Sequence, residues 1–191
     1  MVARSMNHSE EHVYASRGGV KLASALDAFN VDPTGWICVD LGSNVGGFTD
    51  CLLQRGAARV YAVDTGYGTL AYKLRKDPRV RVMERTNAMH VQLPEPVELV
   101  VIDVGWTRQR HILPPARSLL CPDGRIITLI KPHYEADTAQ LRGGVLPAEQ
   151  APEVLDAVCR TIEQLGLRIA GLIESPIPGQ KGNREWLALL R

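Results

Sequence analysis

Several features that would assign this chain to a functional class are scarce in its sequence. The 191 residues include four cysteines (Cys38, Cys51, Cys121 and Cys159), with no C-x-x-C pair and no histidine at the spacing of a zinc site. No apolar run approaches the roughly 18 residues of a membrane span, and the N-terminal sequence lacks a signal-peptide core. We therefore expect free thiols, no metal site, no membrane association and a cytoplasmic location.

A large excess of positive or negative charge is also absent from the sequence. The chain has 22 Lys and Arg against 21 Asp and Glu, a net charge of +1, which excludes binding to nucleic acid or membrane by bulk charge alone. A local basic patch stays compatible with this balance. Lysine is rare, with five Lys against 17 Arg. Because a Lys amine can become neutral and a guanidinium cannot, a Lys at a strand end indicates a need for an amine.

What the sequence has is a regular alternation of helices and strands. Apolar residues at helical spacing predict helices over 19–29, 48–54, 110–120 and 148–165. Apolar runs predict strands over 36–41, 59–64, 79–85, 98–104, 125–131, 167–175 and 184–191. Continuous apolar strands are typical of a parallel sheet that is buried on both faces.

The last two predicted strands depart from this alternation. Only PIPGQKGN separates them, which is too short for a parallel crossover, so they should form an antiparallel hairpin. The sequence thus predicts a Rossmann-like α/β fold: a mostly parallel seven-stranded sheet, helices on both faces and a C-terminal antiparallel hairpin. This is the layout of class I S-adenosylmethionine-dependent methyltransferases. We assign the domain to residues 14–191 and a flexible tail to residues 1–13.

A glycine loop follows the first strand and predicts a cofactor site. The segment DLGSNVGGF (40–48) has G-x-x-x-G-G spacing, which fails the dinucleotide fingerprint G-x-G-x-x-G. Asp64 closes the second strand, 22 residues after Gly42, where an acid accepts hydrogen bonds from ribose hydroxyls. The combination favours a nucleoside cofactor without a pyrophosphate. The alternative is a glycine turn and a strand-end Asp that caps the next helix.

Six segments, read in order, carry a family resemblance. They are SRGGVKL, DLGSNVGGFTDCLLQRGAARVYAVD, ERTNA, VVIDV, IKPHYE and GNREW. With them the chain resembles the FtsJ-like RNA ribose 2′-O-methyltransferases, and within these the TlyA-type proteins that are often labelled hemolysin A. The resemblance runs from Tyr14 to Leu190, nearly the whole chain.

The resemblance implies a catalytic Lys-Asp-Lys-Glu set. Matched segment by segment, it falls on Lys21, Asp103, Lys131 and Glu185. A ribose 2′-hydroxyl must lose its proton as it attacks a methyl sulfonium, and a neutral amine can take that proton. The resemblance assigns this step to Lys131, with Lys21 and Glu185 holding the hydroxyl and Asp103 steadying Lys131 and facing the methyl donor.

The resemblance also implies S-adenosylmethionine as the cofactor and RNA, in ribosomal RNA or a ribosomal subunit, as the partner. The implied cofactor contacts are Gly42, Gly46, Gly47, Phe48, Asp64, Asn87 and Asp103. The predicted topology places Asp103, Lys131 and Glu185 at one edge of the sheet. It also brings Arg17, Lys181 and Asn183 to the rim of that edge, where we predict RNA contacts.

The chain departs from the family pattern beside the acceptor site. Gly105-Trp106 stands where the family usually has Ser-Phe, and His133-Tyr134 where it usually has Gln-Phe. TlyA-type proteins carry an RNA-binding S4 domain before this region, whereas only about 13 residues precede it in this sequence. We therefore expect a helper protein that replaces the S4 domain. Two alternatives stay open: a non-catalytic RNA-binding or assembly factor, and a small-molecule methyltransferase. A membrane-active hemolysin is disfavoured, because the sequence has no apolar span or basic amphipathic helix.

Overall fold

The computed structural model describes residues 13–191, so the predicted tail over residues 1–13 lies almost entirely outside the described residues. The helices are α1 Gly18–Ala28, α2 Gly47–Gln54, α3 Tyr72–Lys76, α4 Gln109–Ser118, α5 Pro132–Glu135 and α6 Ala151–Gln164. The strands are β1 Ile37–Leu41, β2 Arg59–Val63, β3 Val80–Met83, β4 Val97–Ile102, β5 Leu120–Ile130, β6 Ile169–Glu174 and β7 Trp186–Leu190. All the helices and strands predicted from the sequence are present, with ends shifted by up to five residues.

The strands form one seven-stranded sheet in the order β3-β2-β1-β4-β5-β7-β6. Strands β1 to β5 pair in parallel, whereas β7 lies between β5 and β6 and is antiparallel to both. The predicted mostly parallel sheet and its antiparallel C-terminal pair are therefore confirmed. The short connection between β6 and β7 explains the pairing, since a parallel crossover needs a dozen or more residues.

Successive strand residues point to opposite faces, and each face packs against its own helices. In β1, Cys38 belongs to a core that includes residues of α1, α2 and α3. Its neighbour Val39 belongs to a second core, which includes residues of α4 and α6. Both side chains are fully buried, which is why β1 and β4 are apolar at every position except Asp40 and Glu98. Helices on both faces of the sheet are thus confirmed.

Two short helices were not predicted. Helix α3 has five residues and buries only Leu74, so no apolar period is visible in its sequence. Helix α5 has four residues and begins at Pro132, directly after β5. Because β4 ends at Ile102 and β5 at Ile130, the predicted strand-end residues of the site lie just beyond their strands. Within residues 13–191, no helix has the length and apolar character needed to cross a bilayer.

Candidate active site

Three of the four implied catalytic residues meet at one edge of the sheet because of strand order and register. Asp103 directly follows β4, Lys131 follows β5, and Glu185 directly precedes β7. In the antiparallel pair, Ile130 of β5 lies opposite Trp186 of β7. Lys131 directly follows Ile130, and Glu185 directly precedes Trp186. Because these two strand residues lie opposite each other, Lys131 and Glu185 lie at the same edge of the sheet. This is the carboxyl edge of the parallel strands, where α/β folds bind ligands.

Two ion pairs join these residues to one another and to α1. The Nζ of Lys131 lies 2.5 Å from Oδ1 of Asp103 and donates a hydrogen bond of 3.2 Å to the carbonyl of Val104. The Nζ of Lys21, on α1, lies 2.5 Å from Oε2 of Glu185. The side chains of Lys21 and Glu185 are only 11% and 3% exposed. The structure therefore brings all four residues together as two ion pairs, of which Lys21–Glu185 is more deeply buried than Lys131–Asp103.

The charge state of Lys131 follows from two opposing effects. Burial is the largest single effect and disfavours its ammonium form, but the charge and hydrogen bond of Asp103, together with Glu185 and Tyr134, favour that form and outweigh burial in sum. The result is that the pKa of Lys131 is raised above its usual value. In this geometry the amine carries a proton, which it must lose before it can act as a base.

A cavity of about 450 Å³ lies over this cluster. We call it the first cavity. Lys21, Asp103, Lys131 and Glu185 all line it. Its other lining residues are Ser16, Arg17, Gly18, Gly42, Ser43, Asn44, Gly47, Phe48, Gly105, Trp106, His133, Tyr134 and Gln180. The first cavity can therefore present the lysine amines to a group bound within it.

A second cavity, of about 400 Å³, adjoins the first cavity and is lined by four of the residues that we predicted to contact the cofactor. Asp64 and Asn87 line it, and Gly42 and Asp103 line both cavities. The Asp64 carboxylate accepts backbone N–H hydrogen bonds from Asn44 (2.8 Å) and Gly66 (2.7 Å). These bonds fix the carboxylate at the rim. The two cavities thus meet at Asp103.

The glycine loop needs glycine at two positions for different reasons. Gly42 has a positive φ of 92°, and a Cβ there would collide with the carbonyl of Asp103. Gly46 has a φ of 102° and faces Leu70 and Leu74, and its N–H donates to the carbonyl of Ser43. Gly46 therefore lines neither of the two cavities, and its position does not support the predicted contact with the cofactor.

Asp40 is a site residue to which no role was assigned from the sequence. It is fully buried, and its Oδ2 accepts hydrogen bonds from the N–H (2.9 Å) and hydroxyl (2.7 Å) of Thr49. Burial raises its pKa to about 7. The contact ties the end of β1 to the first turn of α2 and so supports the loop between them. The signal for this role was the strand-end Asp in DLGSNVGG.

The three predicted RNA contacts differ in exposure, although Lys181 and Asn183 line one small cavity together. Arg17 is exposed and lines the first cavity. Lys181 is exposed, donates to the carbonyl of Gly143 (2.9 Å) and lines a smaller cavity of about 140 Å³. Asn183 is only 3% exposed. Its amide nitrogen donates to backbone carbonyls, and its oxygen accepts the N–H of Leu146. Because Asn183 ties two chain segments together internally, its position does not support the predicted RNA contact.

The residues that depart from the family pattern form an aromatic cluster beside Lys131. Trp106 is 86% exposed, and its ring lies 4.8 Å from that of Tyr134. The Nζ of Lys131 lies 5.6 Å from the centre of the Tyr134 ring. His133 is buried against Tyr134, and burial together with the nearby Lys131 lowers its pKa to about 4. The imidazole is therefore neutral near pH 7.

Comparison with known proteins agrees with this geometry. Residues 14–191 match the family described as FtsJ-like methyltransferase. The chain is 44% identical over 188 residues to the 16S/23S rRNA (cytidine-2′-O)-methyltransferase TlyA of Mycobacterium tuberculosis, covering 95% of this chain and 69% of that protein. The predicted resemblance to TlyA-type proteins is confirmed.

Two solved structures extend the comparison to the fold. A Streptococcus thermophilus protein named as a candidate hemolysin superposes with a TM-score of 0.90 at 38% identity, covering 95% of this chain and 68% of that one. Fibrillarin of Aeropyrum pernix, solved with bound S-adenosylmethionine, superposes with a TM-score of 0.64 at 20% identity, covering 90% and 74%. The predicted Rossmann-like methyltransferase fold is confirmed. From the family match over residues 14–191 and the identity to a TlyA methyltransferase, the chain belongs to the FtsJ-like methyltransferase family.

Proposed function

We propose that this chain transfers a methyl group from S-adenosylmethionine to the 2′-hydroxyl of a ribose in ribosomal RNA. The observation that carries the proposal is the buried amine of Lys131, 2.5 Å from Asp103, where the two cavities meet. A purely binding protein has no need for an amine held at that point. The TlyA relative that acts on the ribose of cytidine supports the same chemistry.

The second cavity fits a nucleoside cofactor with a cationic end. Asp64 offers carboxylate oxygens to ribose hydroxyls, Asn87 offers an amide, and Asp103 offers a negative charge beside the first cavity. S-adenosylmethionine supplies an electrophilic methyl group on a positively charged sulfur. Because Asp103 borders both cavities, it can be shared between Lys131 and a second cation. Sharing weakens the ion pair and favours the neutral amine that a base requires.

The chain's own residues then account for the proton. The 2′-hydroxyl would bind in the first cavity, where the neutral Nζ of Lys131 would take its proton as the oxygen bonds to the methyl carbon and the methyl–sulfur bond breaks, leaving a neutral thioether. Lys21 and Glu185, paired at 2.5 Å, provide a donor and an acceptor that hold the hydroxyl in line. Positioning of this kind lowers a barrier by several kcal/mol.

The aromatic cluster supports RNA as the acceptor. Trp106 is exposed at the mouth of both cavities, and its ring lies 4.8 Å from that of Tyr134 at an interplanar angle of 33°. Enzymes that modify RNA bind unpaired bases by stacking them on aromatic side chains. The cluster thus offers a surface for a base next to the reacting ribose.

The direct test is incubation of the protein with labelled S-adenosylmethionine and purified ribosomal subunits, followed by mapping of ribose methylation. We expect label at a 2′-oxygen of one or a few nucleotides. Binding of subunits without transfer would favour the assembly-factor alternative. Transfer to a small molecule, with none to RNA, would favour the small-molecule methyltransferase.

The protonation of Lys131 predicts how the rate depends on pH. Since its pKa is raised, only a small fraction of the amine is neutral near pH 7. We expect kcat to increase between about pH 6.5 and about pH 8.5, by up to about tenfold per pH unit. His133 cannot produce this change because its pKa is lowered to about 4. A flat profile, with intact subunits at every pH, would contradict proton loss by Lys131 in the rate-limiting step.

The position of Asp64 predicts a loss of cofactor affinity when its charge is removed. Asn44 and Gly66 donate to different oxygens of the Asp64 carboxylate, so Asp64→Asn keeps an acceptor for only one of these two bonds and also weakens the acceptor for ribose hydroxyls. We expect S-adenosylmethionine to bind about 1–3 kcal/mol more weakly, measured by calorimetry. Asp123→Asn, at an exposed position before the central part of β5, serves as the control. Unchanged affinity in folded Asp64→Asn would remove Asp64 from the cofactor site.

A further inference from the structure

Positive charge is concentrated in one segment of this nearly neutral chain. Residues 65–85 contain six Lys and Arg and two Asp and Glu, a net charge of +4, whereas the whole chain carries +1. The other residues therefore sum to −3. The segment contains α3 and β3, and β3 is an edge strand of the sheet. One edge of the fold is thus basic although the protein is not.

Internal ion pairs neutralise only part of this charge. Asp77 pairs with Arg79 at 2.7 Å, and Glu84 pairs with Arg75. The two acids of the segment are thereby occupied. Among the ion pairs of residues 13–191, none involves Lys76 or Arg85. These two cations stay available to an anionic partner.

Each of these two cations lies over an exposed tyrosine. The guanidinium of Arg85 is 4.1 Å from the centre of the Tyr67 ring, and the ammonium of Lys76 is 5.4 Å from that of Tyr72. Tyr67 and Tyr72 are 70% and 73% exposed. We call these four residues the α3 surface. Exposed aromatic rings beside cations are the combination that binds single-stranded nucleic acid, because bases stack on the rings while phosphates meet the charges.

One end of the α3 surface, at Arg85, adjoins the rim of the second cavity. The N–H of Arg85 donates to the carbonyl of Gly66 (3.0 Å), and Gly66 lines that cavity. None of the four residues lines the first or the second cavity. The surface is therefore beside the predicted chemistry without being part of it.

We propose that the α3 surface binds a segment of the substrate RNA outside the reacting nucleotide. The proposal rests on the proposed function and adds a second contact region to it. The two tyrosines stack with bases, and Lys76 and Arg85 contact phosphates. Binding at this surface holds the RNA independently of sequence and brings its target nucleotide to the first cavity.

Two double variants of the full chain test the proposal. They are Lys76→Gln/Arg85→Gln and Tyr67→Ala/Tyr72→Ala, with Arg160→Gln/Arg168→Gln as the control. The control removes two exposed charges from α6 and from the residue before β6, at the opposite edge of the sheet. We expect each test variant to raise the KM for ribosomal subunits about tenfold, with the effect on KM rather than kcat, and the control to stay within about twofold.

A salt series with a short single-stranded RNA gives an independent readout by fluorescence anisotropy. The charge variant should reduce the slope of log affinity against log salt by about 1.4, since each phosphate contact contributes about 0.7. An unchanged KM in variants of a wild type that methylates RNA would overturn the α3 proposal alone. A raised KM for subunits with unchanged binding of free RNA would overturn it in favour of a protein contact. If the wild type methylates no RNA but the variants lose RNA binding, the proposed function fails, and the α3 surface is an RNA-binding surface without a methylated substrate.

Discussion

Replacing Lys131 by Met should reduce methyl transfer by about 10²–10⁴-fold, which is the usual effect of removing a general base. Met keeps the apolar stem of the side chain, so packing is retained and only the amine is lost. Asp103 then loses its partner at 2.5 Å, but it borders both cavities and its side chain is 26% exposed, so water can solvate the carboxylate. We therefore expect the fold and the cofactor affinity to stay close to those of the wild type.

Lys131→Arg distinguishes a role of Lys131 as a general base from a role as a positive charge. A guanidinium preserves an ion pair with Asp103 but does not lose a proton at any working pH. If Lys131 is the base, both variants should lose activity, as measured by single-turnover methylation with calorimetry and thermal denaturation as controls. Near-normal turnover by Lys131→Arg would reduce the role of Lys131 to that of a charge. Normal turnover by both variants would place the base elsewhere.

Breaking the Lys21–Glu185 pair should cause the largest loss of stability among single changes at the site. Glu185 is 3% exposed, and Lys21→Met leaves its carboxylate without the ammonium 2.5 Å away. Removing one partner of a buried ion pair costs about 3–5 kcal/mol, because the remaining charge is unpaired in a medium of low dielectric. We expect a loss of this size in the free energy of unfolding, measured by urea denaturation.

The double variant Lys21→Met/Glu185→Leu should recover much of that stability, since neither charge is then buried. It should still fail to methylate RNA, because the first cavity loses a donor and an acceptor. Glu174→Gln serves as the matched control: it removes one charge of the more exposed Arg184–Glu174 pair and should cost at most about 1 kcal/mol. If the double variant lost as much unfolding free energy as Lys21→Met and Glu185→Leu lose separately when added together, direct coupling between Lys21 and Glu185 would be contradicted.

The alternation of helices and strands was predictable because it depends on neighbouring residues. Apolar runs such as ELVVIDV are visible in the sequence whatever they later pack against. The antiparallel end of the sheet was equally predictable, since the length of a connection limits its geometry. The four residues Lys21, Asp103, Lys131 and Glu185 came from the family resemblance, and strand ends alone placed three of them at one edge.

Other features could not be read from the sequence because they depend on contacts between distant segments. The sequence places Glu185 at the carboxyl edge but does not show that β7 inserts between β5 and β6, which brings Glu185 beside Lys131 at that edge. Asn183 lies in a polar segment, yet its side chain is buried by contacts with residues 144–146. Gly46 belongs to the glycine loop but packs against α3 instead of lining a cavity.

The sequence by itself determined the fold class, the position of the glycine loop and the types of residue available for chemistry. Local apolar patterning and chain connectivity carry that information. Only the tertiary structure decided which charges are paired and which are available. Lys131 and Asp103 are 28 residues apart in the sequence, and their 2.5 Å contact exists because β4 and β5 lie side by side. Within residues 13–191, Lys76 and Arg85 form no ion pair, because folding directs the neighbouring acids to other arginines.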